Sequence, residues 1–155
     1  MAYWLMKSEP DSFGIDDLKK RPRQTEPWDG VRNYQARNFM RDRMKPGDGV
    51  LFYHSNCAAP GIYGLAEIAS NAYPDPTQFD PEHHHYDAGS KPEEPRWLLV
   101  DVRYERHLKR PILLSELREH ADELVGFKLI AKGNRLSILP VTPQHWRRIM
   151  ALEKA

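Results

Sequence analysis

The sequence contains a single cysteine, Cys57, among 155 residues. One cysteine cannot form an internal disulfide, which fits a reducing compartment, so we expect a cytoplasmic protein. Lys and Arg number 23 and Asp and Glu number 22, which leaves a formal net charge of +1. This near-neutral balance excludes a polycationic, tail-driven nucleic-acid binder, and any anionic partner must be met by a local patch.

Long hydrophobic runs are also missing. No stretch approaches the roughly 18 apolar residues that a membrane-crossing helix needs, and we expect no membrane partner. Residues 1–7 lack the basic start and the apolar core of a signal peptide. The motifs G-x-G-x-x-G, G-K-[ST] and H-E-x-x-H do not occur, so we predict no cofactor and no zincin-type metal site.

Hydrophobic residues make up 40% of the chain and charged residues 29%, which is typical of a folded globular protein. The length predicts a single domain over residues 1–155, and we expect a monomer without an obligate protein partner. Strands follow one another without strict βαβ alternation, which indicates the α+β class with a curved or closed mixed sheet. The predicted strands are 3–8, 50–54, 62–68, 97–104 and 135–141, and the predicted helices are 15–20 and 33–44, with Ser115 and Thr142 capping two more.

Residues 71–95 form one long irregular connection that contains five of the thirteen prolines. A connection of this length inside a compact domain is usually functional or disordered. The polar and aromatic residues at its edges, among them Gln78, Phe79 and Trp97, favour an ordered loop.

Polar side chains stand at the ends of predicted strands. Lys7 and Ser8 end the first strand, the run 54–56 follows another, and Trp28 precedes the basic helix 33–44. If these ends converge, they form an aromatic-walled pocket with short hydrogen-bonding side chains. Such a pocket suits a flat heteroaromatic ring, for example a base turned out of a nucleic acid. The alternative is that Trp28 only fills the core, that Asn33 only caps the helix it begins and that the basic helix face is solvated surface.

The sequence resembles the EVE domain family in six runs that follow the family's order: YWLMKSEP (3–10), WDGVRNYQARN (28–38), FYHSN (52–56), YPDPTQFD (73–80), PRW (95–97) and RLSILPV (135–141). The resemblance implies a PUA-like fold, a mixed β pseudo-barrel of five or six strands with flanking short helices. It further implies recognition of a modified base, most of all modified cytosine in DNA, by a module that is not an enzyme.

The resemblance also implies roles for individual residues. Trp28 would form an aromatic wall, Asn33, Ser55 and Asn56 would hydrogen-bond to the base, and the segment 78–79 would place a loop over the pocket. The complete set of predicted ligand-binding residues is Lys7, Ser8, Trp28, Val31, Asn33, Tyr34, His54, Ser55, Asn56, Gln78 and Phe79. The predicted contacts with the nucleic-acid backbone are Arg32, Arg37, Arg41 and Lys45.

Other interpretations stay open at this point. An RNA-binding PUA-like module is one, and a small amidohydrolase that acts on a modified nucleoside through Lys7 and Ser8 is another. Alternation along a strand places these two side chains on opposite faces, which argues against the second. Cys57 with His54 is a weaker candidate pair. His83 and His85 are a possible metal pair, together with one of three nearby carboxylates, Asp80, Glu82 or Asp87, but no second ligand cluster supports it.

Overall fold

A six-stranded mixed sheet forms the centre of the molecule in the computed structural model, which describes residues 1–154. Within these residues the strands are β1 (Tyr3–Ser8), β2 (Thr25–Pro27), β3 (Gly49–His54), β4 (Gly61–Ile68), β5 (Tyr73–Pro74), β6 (Leu98–Leu99), β7 (Asp101–Leu113) and β8 (Ile138–Val141). The main sheet has the order β2-β7-β4-β3-β1-β8, and β5 pairs with β6. Only β1 and β3 run parallel; the other neighbours are antiparallel. The predicted α+β class with a mixed sheet is confirmed.

Short helices flank the sheet. They are α1 (Pro10–Phe13), α2 (Ile15–Lys20), α3 (Tyr34–Asp42), α4 (Leu114–Glu119) and α5 (Pro143–Glu153). The start of α5 is as predicted, because Thr142 Oγ1 accepts a hydrogen bond from the His145 amide at 3.0 Å and Pro143 occupies the first turn. None of the helices within residues 1–154 combines the length and the hydrophobicity that a membrane crossing requires.

The sheet is buried on both faces. Alternate residues of β1 enter two hydrophobic clusters: Trp4 and Met6 join the one under α2 and α3, and Leu5 joins the one under α4 and α5. In β3, Val50 and Phe52 similarly oppose Leu51 and Tyr53. A strand buried on both sides reads as a continuous apolar run, which is why the sequence showed β1 so clearly.

The parallel pairing of β1 and β3 brings their C-terminal ends to the same edge of the sheet. Ser8 lies opposite His54 in the register, and the Ser55 amide donates to the Ser8 carbonyl at 2.9 Å. The predicted convergence of strand ends is therefore present. The segment after β2 packs against these elements through a side chain, since the Trp28 ring lies 5.5 Å from the Phe52 ring of β3 and 6.3 Å from the Phe13 ring of α1, centroid to centroid.

Several predicted boundaries are wrong. The strand expected at 97–104 consists of β6 and the 13-residue β7, whose outer half carries charged side chains that hide its alternation. The strand expected at 135–141 begins only at Ile138. Ser115 lies inside α4 and not at its cap, which is Leu113. The short strand β2 is not predicted, because three residues show no periodicity.

An ion pair fixes the end of α5 to β7. Arg106 donates from Nη1 and Nη2 to the two carboxylate oxygens of Glu153, at 2.8 and 2.9 Å, and the Lys109 amide adds a third bond at 2.7 Å. The Glu153 side chain is 4% exposed. The Arg106 hydrogen bond lowers the pKa of Glu153 to about 2 against the opposing effect of burial.

This pair predicts a pH-dependent contribution to stability. The folded pKa lies below the unfolded one, so the contribution is complete above about pH 5 and disappears as the pH falls through about 2. We expect Glu153→Gln to lower the free energy of unfolding by about 3 kcal/mol at neutral pH and by much less near pH 2. Urea unfolding across this pH range measures the difference. Glu119→Gln, at an exposed position of α4, is the control, and a pH-independent loss in Glu153→Gln would contradict the assignment.

Candidate functional site

A cleft of about 430 Å³ opens between the end of β1 and the end of β2. Its volume lies within the ~300–1,000 Å³ range of small-ligand pockets. The cleft is lined by the end of β1, by α1, by the segment after β2 and by one side chain of the long loop: Lys7, Ser8, Glu9, Phe13, Glu26, Pro27, Trp28, Asp29, Gly30 and His85. Of the predicted ligand-binding residues, the structure brings Lys7, Ser8 and Trp28 together here.

Trp28 forms a fixed aromatic wall of the cleft. Its ring meets Phe13 and Phe52 edge to face, with centroid distances of 6.3 and 5.5 Å. The residue is 9% exposed, so most of the ring belongs to the core and the remainder borders the cleft. The two alternatives for Trp28, a core residue and a pocket wall, are thus both true of the same side chain.

Charged groups line the rest of the cleft. Burial lowers the pKa of the Lys7 ammonium, which makes no side-chain hydrogen bond or ion pair within residues 1–154. Burial raises the pKa of Glu26, an effect that Arg21 opposes and Asp29 reinforces. One ammonium and several carboxylates therefore face the same space. They offer both donors and acceptors to the edge of a planar ring.

Ser8 is held by the backbone of α1. Its hydroxyl donates to the Phe13 carbonyl at 2.5 Å. Asn56, predicted to contact the base, lies beyond the cleft lining with a φ of 51° and donates to Glu9 Oε1 at 3.1 Å. Asn56 is therefore placed to orient the Glu9 carboxylate.

His85 closes one side of the cleft by packing on Gly30. A Cβ added at Gly30 would lie 2.4 Å from the imidazole, and the backbone there has a φ of +79°. Only glycine meets both conditions without strain. The pKa of His85 is lowered, first by burial and then by the neighbouring His84. Sequence reasoning missed His85 as a cleft residue, although the histidine-rich stretch was visible.

The loop that carries His85 is anchored by a buried carboxylate. Asp75 accepts hydrogen bonds from the Gly30 amide at 2.8 Å, from Arg32 Nη1 at 3.1 Å and from the Thr77 amide and hydroxyl at 2.8 and 2.6 Å. Burial raises its pKa, but the hydrogen bonds from Thr77, Gly30 and Arg32 outweigh this, and the pKa lies below its usual value.

Arg32, which the sequence predicts as a phosphate contact, completes this anchor. Besides Asp75, its guanidinium donates to the His85 carbonyl at 2.8 and 3.2 Å and to Thr77 Oγ1 at 3.2 Å. Through these hydrogen bonds, the Arg32 guanidinium joins the cleft wall to the loop. Its charge is balanced inside the protein.

Gln78 also has a structural role and does not cover the cleft. Its amide nitrogen donates to the carbonyls of Asp75 and Trp97, both at 2.7 Å, and its oxygen accepts from Ser90 Oγ and the Trp97 amide at 2.6 and 3.0 Å. All four hydrogen-bonding capacities are therefore used, and the residue is fully buried. Phe79 is half-buried beside it and does not line the cleft.

The remaining predicted base contacts lie outside the cleft lining. Val31 belongs to the core, and His54 Nε2 accepts a hydrogen bond from the Ile15 amide at 3.1 Å while burial lowers its pKa. Ser55 follows His54 and is half-buried. Asn33 caps α3, because its Oδ1 accepts from the Ala36 amide at 2.9 Å.

Two predicted cations and one aromatic residue project from α3 and the segment after it. Tyr34 is 52% exposed and stacks on Trp97 at a centroid distance of 4.8 Å. Arg41 pairs with Asp42 at 2.8 Å, and Lys45 is exposed. These residues stand on the surface beside the cleft and not in it.

The histidine run forms a tighter group than alternation along an extended chain predicts. Donor nitrogens of His83, His84 and His85 lie within 4.8 Å of one another, whereas the hypothesis paired two histidines with a carboxylate. His83 Nδ1 already accepts a hydrogen bond from the His85 amide at 3.0 Å, so that nitrogen is not free for a metal.

Six further lining residues were not predicted: Glu9, Phe13, Glu26, Pro27, Asp29 and Gly30. Glu9 and the pair Asp29-Gly30 belong to the conspicuous runs of the sequence, and the position of each directly after a predicted site residue was the available signal. The sequence contains no such signal for Glu26, because Glu26 is placed by the pairing of β2 with β7, which a local pattern does not reveal.

Together, the fold and the cleft define a small α+β protein whose parallel strand ends hold an aromatic-walled polar pocket. The family model described as EVE domain matches residues 2–152, and the chain belongs to the EVE domain family. Among its relatives, thymocyte nuclear protein 1 of Homo sapiens is 47% identical over 168 residues, which cover 99% of this chain and 74% of that protein.

Two solved structures are similar over nearly the whole chain. The structure of human THYN1 protein in complex with 5-methylcytosine containing DNA has a TM-score of 0.95 and 46% identity, covering 100% of this chain and 99% of that one. A protein from Pseudomonas putida has a TM-score of 0.92 and 49% identity, covering 98% and 99% of the two chains.

The buried anchor predicts a large loss of stability on substitution of Asp75. Asp75→Asn leaves Arg32 without its counter-charge and places an amide among four donors, so we expect a loss of about 3 kcal/mol in the free energy of unfolding. Chemical denaturation measures this loss. Asp122→Asn, at an exposed position, should change stability by less than about 0.5 kcal/mol. If both substitutions changed the free energy of unfolding equally, Asp75 would be ruled out as the anchor of the loop.

Proposed function

We propose that the protein binds DNA that contains a modified cytosine and accommodates this base in the cleft between Lys7, Trp28 and His85. The observation that carries the proposal is the juxtaposition of an aromatic wall with charged and polar side chains in a recess of base-binding size. A structural neighbour with 46% identity was solved in complex with 5-methylcytosine containing DNA, which supports cytosine as the base and DNA as the polymer.

The base must leave the double helix to reach this cleft. Its walls are formed by α1, by the segment after β2 and by the loop residue His85, so a base that is still paired cannot enter. Contact with an aromatic wall contributes about 1–3 kcal/mol per base, which offsets much of the cost of unstacking.

The polar lining suits the edge of cytosine. Carboxylates accept hydrogen bonds from its exocyclic amino group, the role we assign to Glu26 or Asp29, and the Lys7 ammonium donates to a ring acceptor. The apolar surfaces of Phe13, Pro27 and Trp28 provide a place for a substituent on carbon 5. In this arrangement the lysine and the carboxylates recognise the base, and the apolar wall recognises the modification.

We propose that the protein binds the modified base and does not hydrolyse it. We further propose that it acts in the cytoplasm and as a single domain. The Ser8 hydroxyl donates to the Phe13 carbonyl, so activation by Lys7 would first have to break a bond of 2.5 Å. Incubation with acylated nucleosides at high protein concentration tests the hydrolase alternative, and product formation would establish it. Oligonucleotides of the same sequence in DNA and RNA form test the choice of polymer.

Removal of the aromatic wall should abolish selectivity for the modified base. We expect Trp28→Ala to lower the affinity for an oligonucleotide with 5-methylcytosine by about 10- to 100-fold, while weak salt-sensitive binding to unmodified DNA persists. Fluorescence anisotropy titrations measure both affinities. Trp146→Ala, a substitution on the opposite side of the sheet, is the matched control. Full selectivity in a folded Trp28→Ala protein would refute the role of the wall.

Removal of the Lys7 charge tests the cleft without disturbing the core. Lys7→Met keeps the aliphatic part of the side chain and deletes the donor, so we expect about tenfold weaker binding of modified and unmodified DNA alike. Lys19→Met, at an exposed position of α2, should bind as the unsubstituted protein does. Unchanged affinity in Lys7→Met would exclude the ammonium from the contact.

A further inference from the structure

A second recess lies on the surface between α3 and the loop segment 89–96. It has a volume of about 460 Å³ and is separate from the cleft, with which it shares no lining residue. Four cationic residues line it, together with a single carboxylate: Arg37, Arg41, Lys91, Arg96 and Glu94. We call it the α3 groove.

The charge of the α3 groove contrasts with that of the whole chain. The protein carries a formal charge of only +1, yet four cations meet one carboxylate here. Arg41 has Asp42 as a partner and Arg96 lies 3.6 Å from Asp87, but within residues 1–154 Lys91 makes no side-chain hydrogen bond or ion pair. The groove is therefore a local site of positive charge, which a near-neutral protein needs in order to attract a polyanion.

The central cation of the groove is held in place before any ligand arrives. Arg37 donates from Nη1 to the Arg96 carbonyl at 2.9 Å and from Nη2 to Asn38 Oδ1 at 2.8 Å. Its guanidinium lies 4.8 Å from the centre of the Tyr34 ring, which in turn stacks on Trp97. None of these partners is a carboxylate, so the charge remains available while the orientation is fixed. A fixed donor loses little side-chain entropy on binding.

The same two segments lead from the groove to the cleft. The loop carries His85 at the cleft and Lys91 at the groove, and α3 begins four residues after the cleft residue Gly30. Arg37 and Arg41 are one helical turn apart, an axial rise of about 6 Å. An extended polyanion that enters at the cleft is thus offered further cationic contacts along α3.

We propose that the α3 groove binds the phosphodiester backbone of the strand whose base enters the cleft. The proposal rests on the function proposed above and adds the path of the strand along α3. Tyr34 has a positioning role in it, because its ring supports the guanidinium of Arg37 and is itself backed by Trp97. Phosphate contacts of this kind set register and affinity and do not distinguish one base from another.

The test uses two substitutions of opposite sign in the same groove. Lys91→Gln removes a cation and should weaken DNA binding about threefold to tenfold, with a salt slope reduced by about 0.7–0.9. Glu94→Gln removes the only carboxylate of the groove and should strengthen binding by a similar factor. Both side chains are exposed, and damage to the fold would weaken binding in both variants. Anisotropy titrations at several salt concentrations provide both readouts.

The control is Arg147→Gln, an exposed arginine on α5, which should leave the affinity and the salt slope unchanged. In the groove variants the ratio of affinities for modified and unmodified DNA should stay constant, because only the backbone contact changes. Unchanged affinity in both variants, or a change of the same sign in both, would overturn the proposal that the α3 groove binds the backbone. If the unsubstituted protein binds modified and unmodified DNA with equal affinity, the cleft proposal is overturned instead.

Discussion

The Asp75 carboxylate is the interaction on which the site depends. It binds the Gly30 amide on the cleft wall, the first turn of residues 76–79 and the Arg32 guanidinium, which in turn holds the His85 carbonyl. One buried anion thus joins residues 30–32 to residues 75–77 and, through Arg32, to His85. Without this anion, the Gly30 amide would lose its acceptor and the Arg32 guanidinium its counter-charge, which is costly, so the loop and the wall form a single unit.

A second constraint comes from the sheet. The parallel pairing of β1 and β3 places two chain exits at one edge, and the packing of Trp28 on Phe52 and Phe13 brings the segment after β2 against them. Because alternate residues of β1 and β3 are buried on opposite sides, a slip of one residue would move every side chain into the cluster on the other face, where it does not fit. The edge that carries the cleft is therefore held by the packing of the whole core.

The sequence revealed what depends on local pattern. The buried strand β1, the helix α2 and the cap of α5 follow from periodicity and turn chemistry, and the family resemblance is carried by contiguous runs. The roles of Gln78 and Arg32 could not be predicted in this way, because a polar side chain looks the same whether its partner is a base or a group of the same chain. Glu26 and His85 reach the cleft only through contacts that span more than fifty residues.

The sign of the charge around the cleft has a consequence for selection among nucleic-acid ligands. Three carboxylates, those of Glu9, Glu26 and Asp29, face a single ammonium at Lys7, whereas the cations collect in the α3 groove. A free nucleotide brings its own phosphates to the recess and is repelled there by the like charges. A base tethered to a polymer enters alone and leaves its phosphates outside. For the base binding that we propose, mononucleotides are in consequence poor competitors.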